Sequence, residues 1–367
     1  MAMRTSPPFR ADHVGSLLRS PAVTRARAQR AQGDISPAEL KAIEDREIRK
    51  IVEMQQAIGL RSVTDGEYRR SWWHFDFFGL LDGVELRDAV SGIQFQGTQT
   101  KAQAPHIVGA LGFPLDHPML GHFRFLKSCT TATPKMTIPS PNVLHFRLAS
   151  VDRSLYPDRD ALFNALARAY GQAVKAFYDA GCRYLQFDDT AWAYLCSKDE
   201  VEKAKQRGTD VENLAQSYAA MVNQVLAAKP QDMTITTHIC RGNFRSTWIT
   251  SGGYEPVAET LFGACNYDGY FLEYDSDRAG GFEPLRFVPK GTKQIVLGLV
   301  TTKTGTLERK ADIKRRIAEA ENYVGLDQLC LSPQCGFAST EEGNILSVDE
   351  QWAKLNLVVD VADEVWR

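Results

Sequence analysis

RDALFNALARAYGQAVKAFYDAGCRYLQFDD, residues 159–189, decides the fold. The first part, through Gly181, is helix-like and closes on a glycine, and CRYLQFDD then reads as a strand. The same order recurs down the chain: VENLAQSYAAMVNQVLAAKP leads into MTITTHIC, YEPVAETLFGA into GYFLEYD, FEPLRFV into KQIVLGLV, and RKADIKRRIAEAENYVG into DQLCLSPQC. Earlier, Ser36, Pro37 and Glu39 give an N-cap, a first-turn proline and a capping box. The helix they start carries Leu40, Ile43, Ile51, Met54 and Ile58 near helical spacing and stops at Gly59, before the short strand and turn RSVTDGE. The amphipathic helix VDEQWAKLNLVVDVADEVW closes the series. Strands alternating with helices indicate parallel βαβ units.

Strands are expected near residues 10–14, 61–65, 135–139, 183–188, 233–238, 269–273, 294–300 and 328–332. Eight is the number that closes a (β/α)8 TIM barrel. A doubly wound sheet is the alternative, but no Gly-x-Gly-x-x-Gly follows any strand. Residues 83–112 break the rhythm and alternate like paired strands, which predicts a β-hairpin-bearing insertion near the barrel mouth. No stretch rich in Pro, Gly or Ser divides the chain, so residues 1–367 are expected to form one barrel.

Composition narrows the function. Apolar residues make up 44% of 367, enough for a substantial core, and a net charge of −2 gives no footprint for nucleic acid or an acidic membrane surface. No apolar run approaches the roughly 18 residues of a membrane span. MAMRTSPPFRADH lacks the hydrophobic stretch of a secretory signal, and seven scattered cysteines do not make a disulfide framework. A reduced, cytoplasmic setting is the simplest reading, with small-molecule partners; a homo-oligomer is compatible with it.

Barrel chemistry sits at the C-terminal ends of the strands. There the sequence places Ser16, Glu67, Asp188, Asp189, His238, Cys240, Glu273, Lys303 and Cys335. His238, Cys240, Glu273 and Cys335 are all competent zinc ligands. Each also has a plainer reading: a hydrogen-bonded histidine, a cysteine acting as a small hydrophobe, a glutamate paired with Arg278. That plain reading is adopted for Cys129, Cys182, Cys196, Cys265 and Cys330. Neighbouring strand residues point to opposite faces, so of Asp188 and Asp189 only one is expected in the pocket. Asp188 is taken as the functional member and Asp189 as a cap for the next helix. Trp72, Trp73 and HFDFFGLL at 74–81 offer either a pocket wall or core, and Lys303 an anion contact or a solvated lysine.

The segments HVGSLLR, DGEYRRSWW, LQFDDT, THIC, FLEYDSDR and LSPQCGF carry a resemblance to the catalytic barrel of cobalamin-independent methionine synthase, and more so to its short single-barrel relatives. The resemblance implies a zinc site at His238, Cys240, Glu273 and Cys335. It implies a homocysteine-type acceptor held by Gly15, Ser16, Glu67 and Asp188. Where the family has a pterin-contacting Trp, a Glu and a proton-donating His, this chain has His145, Tyr194 and Lys303. His145 and Tyr194 are therefore expected at the substrate pocket, and Lys303 or a water as the group assisting departure of the donor. Those departures, with the missing N-terminal barrel, point away from a polyglutamylated methyltetrahydrofolate donor and leave the alkyl donor unidentified. Zinc-dependent S-methyl or alkyl transfer is the leading expectation. Zinc thiol–epoxide (coenzyme M-type) chemistry is the alternative and a metal-free barrel the third class, with a non-catalytic zinc or thiol binder beside them. A metal-free barrel similar to uroporphyrinogen decarboxylase would instead need an arginine-rich mouth, for which Arg69, Arg70, Arg241 and Arg245 are the candidates.

Overall fold

The structure, a computed structural model, describes residues 4–206 and 208–366. Seven parallel strands form the central sheet: β1 (Ser62–Val63), β2 (Thr133–Pro139), β3 (Tyr184–Asp189), β4 (Thr234–Ile239), β5 (Gly269–Glu273), β6 (Gln294–Val300) and β7 (Leu329–Pro333). Each pairs with the next in chain order, and the sheet curls into a TIM-type barrel. These strands lie where the apolar runs place them, to within a few residues at their ends.

The expected strand at 10–14 is the exception. It makes a single parallel bridge, Ala11 with Leu331. The bonds are Asp12 N–H to the Leu331 carbonyl at 3.0 Å and Leu331 N–H to the Arg10 carbonyl at 2.8 Å. The cause is Asp12, whose carboxylate accepts from the backbone N–H of Phe9 at 3.1 Å and of His13 at 2.8 Å. A side chain that takes nearby amides competes with a strand ladder. On the other flank side chains replace the ladder: Ser62 donates to Asp12 at 2.9 Å, and Thr64 to the Gly15 carbonyl at 2.6 Å. The segment fills the eighth position without being a regular strand.

The helices follow their sequence signals. Pro37–Ala57 begins with both bonds of the Ser36–Glu39 capping box, at 3.2 and 2.8 Å, and ends before Gly59, whose φ is 94°. Arg159–Asp179 is capped by Asp158 and buries Leu162, Phe163, Leu166, Tyr170, Val174 and Phe177. Each such side chain contributes about 1.5–3 kcal/mol on burial, which fixes the helix against the sheet far more firmly than its intrinsic propensity. Among the described residues no helix is long and apolar enough to cross a membrane.

The insertion is paired as expected. Asp82–Asp88 runs antiparallel to Gln103–Gly112, and between them Gln94–Phe95 pairs with Thr98–Gln99 as a smaller hairpin. Inside the barrel Val14, Tyr184, Phe271, Val296 and Cys330 pack together. Beside them Lys135 and Asp12, both fully buried, form an ion pair at 3.4 Å, and the ammonium lies 4.0 Å from the centre of the Phe271 ring. This plug fills the barrel beneath the site.

Candidate metal centre and substrate pocket

The register of the sheet brings the four expected ligands together. His238 lies near the end of β4 opposite Phe271 of β5, and Cys240 follows in the next loop. Glu273 ends β5, and Cys335 sits in the turn after β7. One ligand atom from each of the four lies within 4.8 Å of the others, and all four residues are buried. The two sulfurs are 3.6 Å apart.

The bonding around these groups is one-sided. His238 Nδ1 lies 3.3 Å from the Phe271 carbonyl and so acts as donor, leaving Nε2 buried with no well-formed hydrogen bond and the Cys335 sulfur beside it. Glu273 Oε1 accepts from the Arg241 backbone N–H at 2.8 Å, while Oε2 has no partner. Buried polar atoms of this kind are costly and rare unless something else satisfies them. Two orphaned acceptors facing a pair of thiols match the donor set of a zinc ion. Hydrogen bonding between the thiols pulls Cys335 well below its ordinary range and drives Cys240 well above it. Burial pushes the Glu273 carboxyl up to about 6. Arg278, the alternative partner for Glu273, pairs with Asp275 at 3.2 Å instead.

Above the cluster opens a pocket lined by Ser16, Glu67 and Asp188 together with His238, Cys240 and Cys335. Asp188 accepts from Gln186 Nε2 at 2.7 Å, and burial raises its carboxyl to about 7. Glu67 has a left-handed backbone, φ 59°, uncommon outside glycine. Its Oε1 accepts from Thr137 at 2.9 Å, and its buried Oε2 has no partner. Gly15 is required where it stands: its φ is 143°, and a Cβ there would lie 2.8 Å from the Thr137 methyl. Asp189 points the other way, accepting from Ser140, Asn142 and the Ala191 N–H, each at 2.8 Å. It caps the following helix, as expected from strand alternation.

Three expected site residues are placed elsewhere. His145 Nδ1 meets the Tyr218 hydroxyl at 2.8 Å, and the ring borders a separate surface depression with Arg153 and Arg159. Tyr194 is buried behind Arg147, whose guanidinium covers its ring at 4.9 Å and bonds its hydroxyl. Lys303 Nζ bonds the loop after β4, reaching the carbonyls of Gly242 and Thr247 at 3.2 and 3.3 Å and Asn243 Oδ1 at 3.2 Å. None of the three lines the pocket. Nor do Arg69, Arg70, Arg241 and Arg245, so the arginine-rich mouth of the metal-free alternative is not assembled.

Sequence reading missed Arg147, which does line the pocket; the insertion stands near the barrel mouth, as expected. Ile93, Phe95 and Thr100 reach the pocket from the insertion, beside Trp72, Trp73 and Phe244. Phe95 packs on Phe244 with centroids 5.4 Å apart, Phe244 stacks on Trp72 at 6.0 Å, and Gln96 N–H bonds the Trp248 carbonyl at 3.1 Å. The insertion therefore roofs the cluster of His238, Cys240, Glu273 and Cys335. Its break in helix–strand rhythm was the available signal; nothing in the sequence marked Arg147.

Residues 9–364 match the profile of the family described as "Cobalamin-independent synthase, Catalytic domain", and the chain belongs to that family. It is 55% identical over 361 residues to the uncharacterized protein YxjH of Bacillus subtilis (strain 168), covering 98% of this chain and 95% of that one. A crystal structure from Listeria monocytogenes, provisionally described as a vitamin-B12-independent methionine synthase, superposes with a TM-score of 0.81 at 46% identity, covering 99% of this chain and all of that one. More distantly, a 5-methyltetrahydropteroyltriglutamate–homocysteine methyltransferase of Synechococcus sp. (strain JA-2-3B'a(2-13)) is 24% identical over 333 residues. That match spans 90% of this chain but only 40% of the longer enzyme.

Proposed function

We propose that this barrel is a zinc-dependent S-methyltransferase that moves a methyl or related alkyl group onto a thiol amino acid, homocysteine or a close analogue. The observation that carries the reading is the pair of orphaned buried acceptors, His238 Nε2 and Glu273 Oε2, gathered with two thiols within 4.8 Å. His238, Cys240, Glu273 and Cys335 would hold the ion. Bound there, zinc would keep an acceptor thiol deprotonated near pH 7, where a free thiol of pKa ~8.5 is mostly protonated and a poor nucleophile.

The protein's own groups supply the rest. The unpartnered Oε2 of Glu67 and the Asp188 carboxylate face the pocket and suit an ammonium group. Ser16, whose hydroxyl accepts from the Ala338 N–H at 3.3 Å, lies beside them for the polar end of the substrate. Trp72, Phe95 and Phe244 exclude water from the path of the alkyl group. In the reaction the carbon–donor bond breaks as the carbon–sulfur bond forms, and the donor's electron pair leaves with it. Arg147 is the cation on the donor side of the pocket, suited to the charge that collects on the departing group. Lys303 has no N–H left for that task.

The test is metal content by mass spectrometry on protein purified without chelator under reducing conditions, followed by methionine formation from homocysteine. The first donor tried is 5-methyltetrahydropteroyltriglutamate, named for the longer relatives. One zinc per chain, lost in folded His238→Ala and Cys335→Ser variants, is expected. A metal-free wild type that still transfers methyl groups would sink the zinc reading.

A further inference from the structure

Lys303 belongs to the loop after β6, but its ammonium is spent on the loop after β4. An ammonium carries three N–H donors, and here the Gly242 carbonyl, Asn243 Oδ1 and the Thr247 carbonyl take them at 3.2, 3.2 and 3.3 Å. Asn243 passes the connection on. Its Nδ2 donates to the carbonyl of Gly336, the residue after Cys335, at 2.8 Å, and to Ser339 Oγ at 3.2 Å. Asn344 closes the circuit, donating to Asn243 Oδ1 at 2.9 Å and to the Thr302 carbonyl at 2.8 Å while accepting from the Ser246 N–H at 2.9 Å. Both amide orientations are fixed, because each oxygen meets only donors and each nitrogen only acceptors. Lys303, Asn243, Asn344 and Thr302 are all buried.

We infer that Lys303 is a positioning residue that clamps the Cys240 loop to the Cys335 turn, so that the two thiols stand at ligand spacing before a metal arrives. The inference rests on the zinc reading above for its purpose, though the clamp itself is a matter of geometry. Two thiolates and a carboxylate around a divalent ion leave an excess negative charge. The buried ammonium sits where it offsets that charge without competing for the ion. Outer groups that orient metal ligands typically change metal affinity by about 10–100-fold when removed.

The experiment measures zinc dissociation constants by chelator competition on the full chain, with cobalt-substituted spectra alongside. Folded Lys303→Met is expected to bind zinc about 10–100-fold more weakly and to show a weakened thiolate-to-cobalt charge-transfer band, with its cooperative thermal transition retained. Lys303→Arg should recover part of the loss, since a planar guanidinium keeps the charge but not the three-way geometry. If Lys303→Met does not fold, Asn344→Ala carries the same expectation. Wild-type affinity and spectrum in a folded variant would overturn the clamp. Hydrogen exchange on the metal-free protein gives an independent reading: peptides covering 240–250 should exchange faster in Lys303→Met than in wild type, and equal exchange in the two folded proteins overturns the inference. A wild type that binds no zinc counts against the zinc reading, and the exchange result still decides the clamp.

Discussion

Asp188 and Gly15 show how narrowly single residues define the pocket. Burial raises the Asp188 carboxyl to about 7, so it is protonated below that pH and charged above it. An ammonium-bearing acceptor needs the charged form, so its KM should fall as pH rises through 7 and level off beyond. Steady-state kinetics from pH 6 to 8 would show this, and Asp188→Asn should flatten the profile. The same variant should raise KM by about 10–100-fold, the scale of a lost hydrogen bond to a charged group at 1.5–3 kcal/mol. A KM in the variant equal to wild type would remove Asp188 from substrate binding. Gly15→Ala places a methyl 2.8 Å from Thr137 in a backbone region that side chains rarely adopt. The expected cost is about 1–3 kcal/mol of stability, read by urea unfolding. Activity should suffer beyond that, because Thr137 also holds Glu67.

Among the elements, strand ends were the most legible feature. Each of β3 to β7 follows a helix signal as a short stretch rich in apolar or β-branched residues, and with the strands placed, His238, Cys240, Glu273 and Cys335 fall to one side of the mouth without any compact motif linking them. The segment at 10–14 was misread as a regular strand because a sequence does not show that Asp12 will claim the amides of Phe9 and His13. Lys303 was placed near the right strand end, but the direction of its side chain depends on where the Cys240 loop runs. Arg147 stands on the short helix Pro141–Arg147, and Tyr194 and His145 were expected in the pocket that Arg147 reaches. Tertiary packing makes that choice. The insertion is legible as a paired element near the mouth, but not which of its residues reach the pocket. Phe95→Ala should leave zinc content unchanged while shifting the ratio of kcat/KM between homocysteine and bulkier thiols by about 10-fold, the worth of one pocket contact. Unchanged selectivity with a lowered melting temperature would make Phe95 a scaffold residue.

On the scale of the whole molecule, the barrel is built around a polar plug. Asp12 accepts from Phe9, His13, Ser62 and Tyr184 besides Lys135, whereas Lys135 hydrogen-bonds Asp12 and the His13 carbonyl and otherwise faces the Phe271 and Tyr184 rings. The two halves of this ion pair should therefore respond unequally. Asp12→Ala strands a buried ammonium and should cost about 3–5 kcal/mol. Lys135→Met leaves a carboxylate still bonded four ways and should cost clearly less. Chemical denaturation of both variants checks the order, and equal losses would mean that the pair stabilises as a unit.

The meeting of Ser16 with the Cys335 turn has a consequence for biosynthesis. The Phe337 N–H bonds the Ser16 carbonyl at 2.9 Å, and Cys335 follows the last barrel strand, so the pocket joins residues that lie far apart in the order of synthesis. A chain still on the ribosome holds His238, Cys240 and Glu273 long before the fourth donor is available. A metal held by these four residues would thus find its full donor set only once Cys335 has emerged, and a shorter nascent chain would offer at most three of the donors.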